Sequence, residues 1–236
     1  SGAIAPAAAL GLALGLLALG PALALLAAPR CALVLGAVAL CAGLYDLAGR
    51  GPWRGPLLLG LCRAGNLGAG LALASTVTPW RSELWLAPSA YGLYVFLVSR
   101  LARLEDADAS QAQGARPARW CTASALALLL LGVLAARFGR HPPELASGTL
   151  SLPWNPSQVL ALAGAFGLLL AASGLAKQPW NPREIQRVAG MALRRLLVCS
   201  AVLACGAGTL DGLLVASVIL LGYPLAFALR RVFPPT

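Results

Sequence analysis

Charge is what this chain of 236 residues has least of: only 11% are Asp, Glu, Lys or Arg, where a soluble globular domain carries about 25%. With 59% hydrophobic residues and a mean hydropathy of +0.78, a single water-soluble domain is excluded and an integral membrane protein is the class that fits. Histidine occurs once, as His141 beside Pro142 and Pro143, where it reads as a solvated loop residue. Lysine also occurs once, so the formal net charge of +10 comes from arginines scattered singly or in pairs between apolar runs. They form no basic stripe with interleaved aromatics, which removes a nucleic-acid platform. There is no Cys-x-x-Cys, and Cys31, Cys41, Cys62, Cys121, Cys199 and Cys205 fall within or at the ends of apolar runs. They read as buried packing thiols rather than metal ligands. An initiator Met and a basic n-region are missing as well, so Ser1 to Ala28 is not expected to be a signal peptide. The chain reads as if cut from a longer one.

What the sequence has in abundance is apolar runs of about 20 residues. Eight candidate helices follow: 6–28, 31–48, 55–77, 84–104, 118–138, 155–176, 184–207 and 210–229. The fold class is therefore all-α, a polytopic membrane helical bundle, with residues 1–236 as one transmembrane domain. Pro29, Gly49 to Pro52, Thr78 to Trp80 and Pro142-Pro143 punctuate the runs. Trp154-Asn155-Pro156 and Trp180-Asn181-Pro182 each precede a new run, with tryptophan at the interface, Asn as cap and Pro at the first helical position.

Alternating loops then orient the bundle. Arg50, Arg54, Arg103, Arg116, Arg119, Lys177, Arg183, Arg230 and Arg231 collect on one side, against Arg30, Arg81, Arg137 and Arg140 on the other. The first side is expected to be cytoplasmic, with both termini inside a bacterial inner membrane. Arg194 and Arg195 fall near the middle of the seventh candidate. Its first half, Arg183 to Arg195, therefore has a second reading as a basic amphipathic helix along the interface, leaving seven spans.

Arg63 stands about two turns inside the third run, at a depth where insertion of a charge costs about 2.5–3.5 kcal/mol. It is expected to face a protein interior, a cavity or a ligand, with Asn66 three residues on and hence on the same face. Among the eight acidic residues, Asp46 follows Tyr45 at the cytoplasmic end of the second run, and Glu105, Asp106 and Asp108 follow the fourth on that side. Together these residues can line one cavity open to the cytoplasm. An arginine fork suits phosphate or carboxylate, and carboxylates at the rim suit Mg²⁺, which bridges oxygen ligands to diphosphate. The competing readings are a solvated loop at 105–108 beside Arg100, Arg103 and Arg116, and a structural salt bridge or carbonyl clamp for Arg63.

The residues that carry a resemblance are Leu44-Tyr45-Asp46-Leu47 and the stretch Gly55 to Gly70, GPLLLGLCRAGNLGAG. They resemble the central part of the UbiA superfamily of intramembrane prenyltransferases, in particular the UbiA-like type associated with Ebo gene clusters. Ser1-Gly2-Ala3-Ile4 resembles the connection after that family's first aspartate-rich motif. The resemblance implies a helical bundle around a central cavity, in which two aspartate-rich motifs bind Mg²⁺ and the diphosphate of an isoprenoid donor. A lipophilic, commonly aromatic, acceptor then takes the isoprenyl group. Carried onto this chain, it implies Asp106 and Asp46 as catalytic residues, Arg63, Asn66, Tyr45 and Arg103 as substrate-binding, and Asp106, Glu105 and Asp108 as metal-binding.

The pattern departs from the family in two places. The first motif, N-D-x-x-D, belongs upstream of Ser1 or on a second polypeptide. The second, D-x-x-D-x-x-x-D, aligned with its middle aspartate on Asp106, puts Arg103 and Ser110 at the outer positions. A fixed arginine charge there opposes Mg²⁺ but favours diphosphate. The alternatives are a non-catalytic UbiA-like protein that binds or transports a lipid or isoprenoid precursor, and a small secondary transporter.

Overall fold

The computed structural model describes residues 5–48, 51–74, 85–104, 115–138, 182–205, 214–222 and 224. Every regular element among them is helical: α1 (Pro6–Ala27), α2 (Pro29–Ala48), α3 (Arg54–Ala74), α4 (Leu86–Ala102), α5 (Ala115–Phe138) and α6 (Pro182–Cys205), with a further helical stretch at 214–222. Three of these are long and apolar enough to cross a membrane, through Ala7–Ala27, Pro29–Leu47 and Arg54–Leu73, and Leu86–Ala102 is a shorter apolar helix. At about 1.5 Å per residue each of the three matches a hydrocarbon core of about 30 Å. A membrane protein is thereby supported; of the seven to eight spans read from the sequence, three are present among the described residues. The expected run at 155–176 lies outside those residues, as does most of 210–229.

Two compact units divide the chain, Ser1–Phe96 and Leu97–Thr236. In the first, Pro6 opens α1 at a position whose N–H has no helical acceptor. The junction with α2 is a single residue. Ala28 is extended, at φ −160° and ψ 119°. Its N–H donates to the Ala24 carbonyl at 2.8 Å, closing α1, while its own carbonyl accepts from Ala32 at 3.1 Å, opening α2. Pro29 then starts α2 with the φ the helix requires. Ala28 and Cys31 are buried with Ala69 and Ala72 of α3, and Ala24, Val34 and Leu35 pack around them.

Helix α3 is built to be approached closely on two sides. Toward α2, a Cβ added at Gly65 would collide with the Val38 side chain, and the Cys62 thiol donates to the Val38 carbonyl at 3.7 Å. Toward α4, Gly60, Ala64 and Gly68 recur every four residues. A Cβ at Gly60 would stand 2.7 Å from the Gly92 carbonyl oxygen, one at Gly92 would stand 2.7 Å from the Ala64 Cβ, and one at Gly68 would overlap the Trp85 ring. Without a hydrophobic effect between helices in lipid, such close backbone approach is the main source of packing energy. Trp53 stacks on Phe96 with ring centroids 6.2 Å apart.

In the second unit, Leu101, Leu104, Cys121 and Ile185 form a core onto which Trp120 and Val188 pack. Ala201 and Ala216 form a smaller one with Ala204 and Ile219. Hydroxyls along α5 and α6 are satisfied within their own helices: Thr122 donates to Ala118 O at 2.9 Å, Ser124 to Trp120 O at 2.7 Å and Ser200 to Leu196 O at 2.8 Å. Each hydroxyl thus back-bonds to the carbonyl one turn before it, the usual way Ser and Thr are carried within a helix.

Candidate functional site

The two contact faces of α3 dictate where its polar residues go. With Cys62, Gly65, Ala69 and Ala72 turned to α2, and Gly60, Ala64 and Gly68 to α4, the remaining sector holds Arg63, Asn66 and Gly70. All three are exposed. The expected pairing of Arg63 with Asn66 on one face is present. Among the described residues its guanidinium makes no hydrogen bond or ion pair.

Tyr45 and Asp46 lie near the C-terminal end of α2. Cys31, Val38 and Tyr45 are seven residues apart, hence on one stripe, and the first two face α3. Tyr45 is half-buried and Asp46 exposed. Because α2 and α3 run antiparallel, with Val38 beside Cys62 and Gly65 and Cys31 beside Ala69, Asp46 falls level with the start of α3. That is about 10 Å along the axis from Arg63. Cys62 lies close enough to interact electrostatically with both Arg63 and Asp46. The structure therefore gathers Tyr45, Asp46, Arg63 and Asn66 on one helix pair, with Asp46 the single carboxylate on α1 to α4.

Arg103 belongs to the second unit, half-buried in the turn that ends α4, its N–H donating to the Ser99 carbonyl at 3.1 Å. Glu105, Asp106 and Asp108 lie outside the described residues. Among the described residues no group of three His, Cys, Asp or Glu gathers at metal-ligand spacing. Mg²⁺ prefers several oxygen ligands, and the helix pair that holds Arg63 offers it one carboxylate, Asp46. That donor set alone does not make a magnesium site.

Sequence reasoning named Arg100 only as a neighbour of the acidic loop at 105–108. Its guanidinium instead lies over the Trp120 ring, 5.1 Å from the centroid. No local pattern joins an α4 residue to an α5 ring, so only packing reveals the pair. The Gly60-Ala64-Gly68 notch went unread too, although its small-xxx-small spacing is a local signal. Compared with models of protein families, with curated proteins and with solved structures, the chain matches none.

Proposed function

We propose that this chain is a UbiA-like membrane protein that binds the diphosphate of an isoprenoid and transfers the isoprenyl group to a lipophilic, aromatic or similar, acceptor. The observation that carries the reading is the outward face of α3, where Arg63 and Asn66 stand exposed together on a helix apolar enough to cross a membrane. The guanidinium presents parallel N–H donors that match two diphosphate oxygens, and the Asn66 amide adds a neutral donor one turn away. In the transfer, the bond from the allylic carbon to the diphosphate oxygen breaks and its electron pair leaves with the diphosphate. The allylic carbon then bonds to a nucleophilic acceptor carbon, which gives up its proton to the released diphosphate. Arg63 holds the charge that grows on the leaving group, and Asp46 and Asp106 are the carboxylates assigned to the rim. Mg²⁺ is proposed with Glu105, Asp106 and Asp108, where it would neutralise diphosphate; no step above depends on it. The proposed orientation keeps both termini and the mouth of the site on the cytoplasmic side.

A second reading, binding without transfer, rests on Arg103, which occupies the register of an aspartate in the second family motif. Both are tested by presenting the protein in nanodiscs with labelled prenyl diphosphates of several lengths and a panel of aromatic acceptors. Prenylated product and released diphosphate are expected. Binding of every donor without release, insensitive to Mg²⁺, would replace the first reading by the second. Failure to bind any donor removes both.

A further inference from the structure

The two sides of helix α6 are chemically opposite. Ile185, Ala189 and Ala192 are buried, at 0%, 4% and 9% exposure, and Val188 packs against the same core as Ile185. At 3.6 residues per turn those positions share one side, and Arg183, Arg187, Gly190 and Arg194 fall in line on the other. Arg183 and Arg187 are exposed and Arg194 is half-buried. The Arg194 Nε donates to the Gly190 carbonyl at 3.3 Å, and its guanidinium reaches to 4.0 Å from where a Gly190 Cβ would stand. Gly190 is thus the notch over which the Arg194 head group folds back along the stripe. Three arginines thus stand along the stripe, against one acid at its edge, Glu184. Exposed Met191, Leu193 and Val198 flank it.

We propose that this arginine stripe docks on the anionic phospholipid head groups of the bilayer surface, with the first half of α6 lying at head-group level and its apolar side held by its own unit. Charge complementarity selects the occupant. Three permanently charged forks on one line match an array of lipid phosphates, and the flanking apolar side chains suit the boundary with the acyl chains. An amphipathic helix of this composition is otherwise costly inside hydrocarbon.

The test uses the full chain in neutral detergent, titrated with phosphatidylglycerol or phosphatidylcholine while its thermal midpoint is followed. Phosphatidylglycerol is expected to stabilise it selectively. The triple variant Arg183→Gln, Arg187→Gln, Arg194→Gln should need on the order of a hundredfold more of that lipid for the same shift. Replacement of the three by Lys should keep most of the response, and Arg119→Gln, an exposed arginine of α5, should change it by no more than about twofold. An unchanged response in the triple Gln variant, or equal stabilisation by phosphatidylcholine, overturns the proposal. So does equal stabilisation by inorganic phosphate or by an acidic polypeptide at matched charge. Should the triple variant not fold, the wild-type titration at about 0.05 M and 0.5 M salt decides: a lipid preference that survives the higher salt overturns it. Arg63→Ala leaves this response unchanged, so failure here and failure of isoprenoid binding are separable.

Discussion

Arg63 is the residue on which the functional reading turns, and its helix position makes it accessible to a direct test. Arg63→Ala is expected to weaken prenyl-diphosphate binding by at least about tenfold, the loss of one charge-assisted pair, read by titration with a labelled donor. Arg63→Lys should restore only part of that, because a point charge does not reproduce the fork; full restoration would show that charge alone suffices. The charge of Arg63 and the spacing to Asn66 were legible in the sequence because both are local. Its surroundings were not, since the contact sides of α3 are set by Val38, Gly92 and Trp85, far along the chain. Arg100 makes the same point from the other direction. Trp120→Leu is expected to destabilise both by loss of packing on the core and by about 1 kcal/mol through loss of the cation–π contact. A double-mutant cycle with Arg100→Met would isolate the term; a coupling near zero would mean that the ring contributes packing only.

Elements were the most legible level, because a period of apolar residues and its punctuation are properties of neighbouring positions. The expected starts at 6, 31, 55, 84, 118 and 184 correspond to α1 through α6 at Pro6, Pro29, Arg54, Leu86, Ala115 and Pro182. One shift has a clear cause: Pro29 was read as a separator, yet it is the first residue of α2, where its missing N–H has no acceptor to forgo, and Pro182 opens α6 as its Trp-Asn-Pro pattern implied. Glycines within one helix class divide sharply by neighbour. Gly60→Ala is expected to destabilise by about 1–3 kcal/mol, since its Cβ meets the Gly92 backbone, which cannot rotate away. Gly11→Ala meets nothing within 4 Å and should stabilise α1 by about 0.5–1 kcal/mol. Thermal midpoints of the two variants in one detergent compare them directly, and equal effects would mean that the α3–α4 contact is looser than these distances.

At the scale of the molecule, composition alone selected a lipid solvent, and three helices long and apolar enough to cross it agree. The number of spans was less legible. A run such as Pro182–Cys205 has the length of a span, but its arginines recur at the helical period and so build a side instead of interrupting a core. Topology remains an expectation of the arginine distribution, and it makes a definite forecast. In a cysteine-depleted background, Ser110→Cys should react with a membrane-impermeant thiol reagent from the cytoplasmic face only, and His141→Cys from the opposite face only. Labelling of both from one side would reverse the assignment of at least one loop. The joint at Ala28 carries its consequence into biogenesis. A helix pair sharing one residue between them has no slack for α1 to settle while α2 waits. The two are therefore expected to enter the bilayer as one hairpin, so that a break in either helix should lower the membrane insertion of both.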